Sequence, residues 1–418
     1  MKIAIIGMWH LGTIISSGLS SLNKNKIFCF DEENIINNFK KNILPINEKN
    51  ISTLIKKNYK KNLFFRSNLK EISQFNILWI TYDSKIGIND KSDFQYTFSK
   101  IIRVLKCAKK NALIIISTQI PIGTIKKLEN YDKRKLKKNF SFIYIPENLR
   151  LGNGLEIFLK SPSTIIGLRK LSEKKVIKNV LAGIKSKKLF VNVETAELTK
   201  HIINSYLACS ITLINEISSI ASQHKVPFEE LEKCIKTDQR ISPKAYLRPG
   251  NSFSGGTLAR DINYLISENK KINSKNILLH SIIKSNQHHS KWVERSVFKE
   301  NKLTSKKILQ IGLSYTSGTT TLRRSLPFEI FKRLKKNNNI KIFDEYLRTK
   351  SNEINNIKKF FIKRTNKTKF DIIIIFNKDY KFKLIKNFLK KNSFIIDINN
   401  YYKNYFLKYN YKYKSLEN

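Results

Sequence analysis

Apolar residues come in short blocks along the first thirty positions, and the blocks differ in period. Lys2 to Ile6 is a brief apolar run, Gly7 to Gly12 interrupts it, His10 to Leu22 repeats apolar residues at helical spacing, and Lys26 to Phe30 is apolar again. This order predicts strand, glycine turn, helix, strand. Further apolar runs at Ile77 to Thr81, Leu113 to Ser117 and Phe142 to Ile145, separated by helical stretches, predict a parallel sheet, because parallel neighbours need crossover helices. From Glu194 to about Val226 the pattern changes. Leu198, Ile202, Ile203, Tyr206, Ile214 and Ile217 recur as on one long helix, of the kind that crosses between lobes or pairs with a partner subunit. A second α/β set begins at Lys307, with strands expected at Ile308 to Gly312, Lys341 to Phe343, Asp371 to Phe376 and Phe394 to Ile398. From Tyr401 onward the Tyr- and Lys-rich sequence reads as a loose tail.

A chain of 418 residues exceeds one ordinary domain. The pattern divides it into an α/β lobe over 1–190, a helical middle over 191–300 and a second α/β lobe over 301–418. The four cysteines, Cys29, Cys107, Cys209 and Cys234, show neither disulfide pairing nor metal-ligand spacing, which fits a reducing cytoplasm. No apolar run approaches the roughly 20 residues that a membrane span needs, and the apolar start enters a glycine turn at once, unlike a signal peptide. The formal net charge is +47, yet the lysines are spread through every segment among asparagines and isoleucines, as AT-rich codons produce, rather than gathered on one stripe. No nucleic-acid motif accompanies the charge, so its expected consequence is a positive field that attracts anionic substrates.

The glycine turn supplies the first chemistry. Gly7 and Gly12 open a helix after a strand, and Asp31 ends the next strand about 20 residues on, where a dinucleotide-binding βαβ unit places its ribose-binding acid. Four separated segments then resemble the UDP-glucose/GDP-mannose dehydrogenase family. They are Gly7-Met8-Trp9-His10-Leu11-Gly12 with Asp31; Ser117-Thr118-Gln119-Ile120-Pro121-Ile122-Gly123-Thr124; Pro146-Glu147-Asn148-Leu149-Arg150-Leu151-Gly152; and the run through Glu194, Glu197, Lys200, Asn204, Asn215 and Glu216 to Pro249-Gly250 and Gly255-Gly256-Thr257-Leu258-Ala259-Arg260-Asp261. In the second lobe Gly312-Leu313, Gly318-Thr319, Leu322, Arg323, Ser325, Asp344 and Tyr346 are similar to a further family turn and strand end.

The resemblance implies two Rossmann-like doubly wound parallel-sheet domains joined by a long central helix and a helical middle domain. Its members oxidise the C6 hydroxyl of a sugar nucleotide to a carboxylate with two NAD molecules. It implies NAD as cofactor on Gly7, Trp9, His10, Leu11, Gly12, Asp31 and Thr118. A UDP- or GDP-sugar is implied on Glu147, Leu149, Arg150, Lys200, Asn204, Gly255, Gly256 and Arg323, and a homodimer through the central helix. Lys200 and Asn204 lie four apart on one helix and share a face. By resemblance Thr118 and Asp261 hold a water, Lys200 stabilises the oxyanion, and Glu147 is a general base in a later hydrolytic step.

Three departures bear on this. Where the family reads GGSCFPKD this chain reads GGTLARD, one residue shorter and without the nucleophilic cysteine, with Thr257 or Leu258 in its place. Leucine cannot attack, and a threonine hydroxyl needs a dedicated base to ionise. Trp9 stands where a GxGxxG turn has its middle glycine, which normally lets the backbone approach the pyrophosphate. Thr316, Thr320 and Thr321 stand where the family has Lys and two Asp, and Ser163 replaces an Arg, reducing charged contacts to hydroxyls. The expected activity is therefore removal of a hydride from a sugar carbinol, with completion to the carboxylate left open. The alternative is a catalytically degenerate sugar-nucleotide-binding or scaffold protein of the same fold.

Overall fold

Continuous isoleucine-rich runs have no polar face to show to water, so they become strands covered on both sides. The structure, a computed structural model, describes residues 1–46, 48–84, 93–147, 149, 152–254, 257–271, 274–300, 306–314, 322, 325–350 and 354–417. It divides into two units, Met1–Ile202 and Ile203–Asn418.

The first unit contains β1 (Lys2–Ile6), α1 (His10–Ser21), β2 (Lys26–Phe30), α2 (Glu33–Lys40), α3 (Ile51–Asn58), β3 (Leu63–Arg66), β4 (Ile77–Ile80), α4 (Phe94–Cys107), β5 (Leu113–Ile116), α5 (Thr124–Tyr131), β6 (Ser141–Tyr144), α6 (Gly154–Lys160), β7 (Ser163–Gly167), α7 (Glu173–Val180) and β8 (Lys187–Val191). Its eight strands run β3-β2-β1-β4-β5-β6-β7-β8. Ile3 and Ile5 pack on one face of β1, Ala4 and Ile6 on the other, so each face has its own core. Pairing is parallel except between β6 and β7, which meet antiparallel at Tyr144 and Gly167. The strands β3, β7 and β8 were not anticipated. β8 alternates exposed and half-buried positions, and β3 is four residues long, so neither presents a long apolar run.

Helix α8 (Val193–Gln223) matches the predicted long helix and carries the boundary between the units. The second unit continues with α9 (Phe228–Ile235), α10 (Leu258–Lys271), α11 (Ile277–His289), α12 (Trp292–Glu300), β9 (Lys307–Ile311), α13 (Leu326–Leu334), β10 (Asn339–Phe343), α14 (Glu345–Lys350), β11 (Phe370–Ile375), α15 (Phe382–Lys386), β12 (Leu389–Asp397), α16 (Lys403–Lys408) and β13 (Lys412–Lys414). Its five strands, all parallel, run β10-β9-β11-β12-β13.

The expected loose tail is instead part of this sheet. β13 pairs with β12, and Phe406 on α16 is fully buried against Phe382, Tyr402, Tyr411 and Tyr413. Tyrosine rings supply the apolar surface here while their hydroxyls are satisfied, Tyr402 donating to Tyr380 O at 2.5 Å and Tyr413 to Asn400 Oδ1 at 2.7 Å. A composition rich in Tyr and Lys therefore hides a core that aliphatic periodicity would have revealed.

Candidate active site

The parallel register brings the carboxyl ends of β1, β4, β5 and β6 to one edge, carrying Gly7, Thr81 and Tyr82, Ser117 and Thr118, and Pro146 and Glu147. Gly7 has φ +102°, and a Cβ there would lie 2.8 Å from Tyr82 Cδ1 and 2.9 Å from Tyr82 N. At Gly12 a Cβ would lie 1.9 Å from Gly7 O, so α1 can approach the turn this closely only with glycine. Trp9 at the middle position has φ −83°, which any residue adopts, and its side chain is 41% exposed. It caps α1 without a side-chain hydrogen bond, and the first turn of α1 holds no acidic residue. This leaves the helix N-terminus to an anion. Leu11 packs on the core, and His10 Nε2 pairs with Glu48 Oε1 at 2.8 Å.

Asp31 lies beside the turn and accepts from Met8 N at 2.5 Å and Glu32 N at 2.8 Å. The second unit repeats the arrangement, with Gly312 at φ +88° and Leu313 N donating to Asp344 Oδ2 at 3.0 Å. The two acids differ in access. Asp344 is buried, also accepts from Leu347 N at 2.9 Å, and has its carboxyl pushed upward by that burial, whereas Asp31 keeps partial exposure. Of these two acids Asp31 is the one exposed enough to meet a ribose. The tight glycines, the uncapped helix end and the accessible Asp31 together fit NAD in the first unit.

Toward β6 the chemistry changes. Glu147 follows β6, and burial pushes its carboxyl up to about 8, against the opposing pull of the Lys200 ammonium. Lys200 itself is only 6% exposed on α8. Thr118 is fully buried, its Oγ1 3.5 Å from Ile80 O, and Leu149 packs against one of the sheet's two cores.

In the second unit Asn204 Nδ2 donates to Asp261 Oδ2, and Arg260 Nε lies 3.4 Å from Asp261 Oδ1. Asp261 is fully buried on the first turn of α10. The same helix settles the fate of the two residues at the cysteine position. Thr257 is exposed just before α10, and Leu258 opens it and packs against the Ala208, Ile262 and Ile266 cluster. Ser163 is exposed at the start of β7. Arg150, Gly255, Gly256, Thr316, Thr320, Thr321 and Arg323 lie outside the described residues.

Some residues near these groups in either unit had no place in the expected site. Glu48 collects His10, Gly152 N at 2.7 Å and Gly154 N at 3.2 Å, joining the glycine turn to the loop after Glu147. Its only sequence signal is a carboxylate in a polar loop. Arg260 could have been noticed as a cation next to Asp261, and His201 as the neighbour of Lys200; neither belongs to a spacing rule.

The model for the UDP-glucose/GDP-mannose dehydrogenase family, NAD binding domain, matches residues 1–185, and that for the family's central domain matches 194–288. The chain is 30% identical over 360 residues to a UDP-glucose 6-dehydrogenase of Rickettsia bellii, covering 82% of this chain and 81% of that protein. A UDP-glucose 6-dehydrogenase of Rickettsia prowazekii is 29% identical over 357 residues, with 82% and 81% covered. Among solved structures, a UDP-glucose dehydrogenase from Pyrobaculum islandicum has a TM-score of 0.86 at 16% identity, over 100% of this chain and 97% of that one. UDP-D-ManNAc dehydrogenase from Pyrococcus horikoshii has a TM-score of 0.82 at 20% identity, with 100% and 99% covered; at these identities the likeness is one of fold. The chain belongs to the UDP-glucose/GDP-mannose dehydrogenase family, NAD-dependent oxidoreductases that act on the CH–OH group of nucleotide sugars.

Proposed function

We propose that this chain oxidises a carbinol of a UDP- or GDP-sugar with NAD, and that it does so without a covalent enzyme intermediate. The observation that carries the reading is the pair Glu147 and Lys200 at the carboxyl edge of the first sheet, a carboxyl raised to about 8 beside a buried ammonium. Gly7, Trp9, His10, Leu11, Gly12, Asp31 and Thr118 would hold the dinucleotide, which supplies the hydride acceptor when bound. Lys200 would settle negative charge on the sugar oxygen as its proton passes to a water. Asn204 would orient Asp261, and both would serve the substrate. Glu147 takes a proton from water or from a hydrated aldehyde. Leu149, Arg150, Gly255, Gly256 and Arg323 complete the sugar-nucleotide contacts in this reading.

The packing of Leu258 against the Ala208, Ile262 and Ile266 cluster supports the reading that no covalent intermediate forms at the cysteine position. Oxidation then stops at two electrons or continues through the hydrate. Counting NADH released per sugar separates these, one for an aldehyde or ketone and two for a carboxylate. A second reading, sugar-nucleotide binding without turnover, is favoured by the same Leu258 packing. Calorimetry showing sugar-nucleotide affinity with no NAD affinity would select it. Assembly is proposed as a homodimer through α8, whose Ile202, Tyr206, Leu213 and Ile220 are exposed at spacings of four and seven. The four free thiols suit a reducing cytoplasm, and no helix among the described residues is long and apolar enough to cross a membrane.

A further inference from the structure

Helix α5 begins at Gly123, a residue at φ +77° with no side chain to cap the helix behind it. Its first amide groups are capped from a distance. Glu197 on α8 accepts from Gly123 N at 2.6 Å through Oε2 and from Ile125 N at 2.9 Å through Oε1. One turn further along α8, His201 Nε2 bonds Ile120 O at 2.9 Å. Both side chains are buried, and positions 197, 200 and 201 share one face of the helix. One turn earlier, Glu194 on α8 and Glu129 on α5 grip the two edges of Arg169, with contacts of 2.7 to 3.0 Å.

Every one of the inner bonds goes to backbone, so they fix the path of residues 120–125 whatever its side chains are. With φ at +77° position 123 favours glycine, so no side chain there caps α5 locally. The chain instead spends a buried carboxylate, whose proton affinity burial raises and the two amides lower in part, on a bond across 72 to 74 residues of sequence. What that long bond adds is register between the loop after β5, which carries Thr118, and the turn of α8 that carries Lys200. β5 lies beyond β4 from the glycine turn, where the second half of a dinucleotide rests in this strand order.

We infer that Glu197 and His201 are positioning residues of the cofactor site, fastening the loop of Thr118 to the helix of Lys200. The inference rests on NAD binding in the first unit. Its test is NADH affinity, read by fluorescence, together with hydrogen exchange of the 118–125 segment in the full chain. Glu197→Gln and His201→Leu each weaken NADH about tenfold and speed exchange in that segment, while His201→Gln, whose amide can still donate to Ile120 O, returns affinity to within about twofold of the unsubstituted chain. Unchanged NADH affinity in folded Glu197→Gln and His201→Leu, or His201→Gln no better than His201→Leu, overturns it. If Glu197→Gln fails to fold, the two His201 variants decide. An unsubstituted chain that does not bind NADH removes the reading underneath, a result distinct from variants that bind it equally well.

Discussion

Glu147 keeps its proton in the folded chain up to about pH 8, because burial raises its carboxyl from 4.5, whereas an unfolded chain loses that proton in the ordinary carboxylate range. Between these limits the folded state binds more protons than the unfolded one, so this group's contribution to stability is full at acid pH and declines as pH rises toward about 8. Glu147→Gln removes that decline. Urea midpoints of the variant relative to the parent therefore increase across this window, and a difference independent of pH would contradict the assignment. If Glu147 is the base, the turnover that needs it rises toward about pH 8 and flattens above, and the glutamine variant loses this rise. Trp9 holds a φ of −83°, which any residue adopts, so glycine there removes the indole without demanding a backbone change. Trp9→Gly is expected to tighten NADH binding by up to about tenfold, the worth of one recovered hydrogen bond to the pyrophosphate. Weaker binding would mean that the indole itself covers the dinucleotide.

Elements with their own periodicity were legible in the sequence, and those made by context were not. β1, β2 and α8 could be placed within a residue or a few because an apolar block or a helical stripe defines each. β8 and β13 were missed because most of their residues are lysines and aromatics whose burial depends on neighbours distant in the chain. Phe406 tests the reinterpretation of the C-terminal segment. Phe406→Ala should cost about 3–5 kcal/mol of stability, as for an aromatic removed from a packed core, and a variant of unchanged melting temperature would return the segment to the status of a tail. On α8 the stripe Ile202, Tyr206, Leu213 and Ile220 faces solvent in a single chain. Replacing Tyr206 and Leu213 by Asp should convert a dimer to a monomer by light scattering; an unchanged mass would move the interface elsewhere or deny it.

At the scale of the molecule, a net charge of +47 adds a field that favours anionic ligands whether or not it was selected for that. Raising ionic strength should increase the KM for a sugar nucleotide more than it changes kcat, because steering is screened within about 10 Å at moderate salt. The geometry of the candidate site was legible wherever a spacing rule reaches: the glycine turn with Asp31, and Lys200 and Asn204 on one helix. Glu48, Glu197 and His201 act by bonding backbone far away in sequence, and a single chain shows no sign of such partners until it is folded. The central claim is that a hydride leaves a sugar carbinol for NAD on this protein. The direct measurement is to incubate purified protein with NAD and a panel of UDP- and GDP-sugars deuterated at every carbinol carbon, and to weigh the NADH formed. The account predicts deuterium in NADH with at least one sugar and its loss in Lys200→Ala; no NADH from any sugar, or NADH without deuterium, would contradict it.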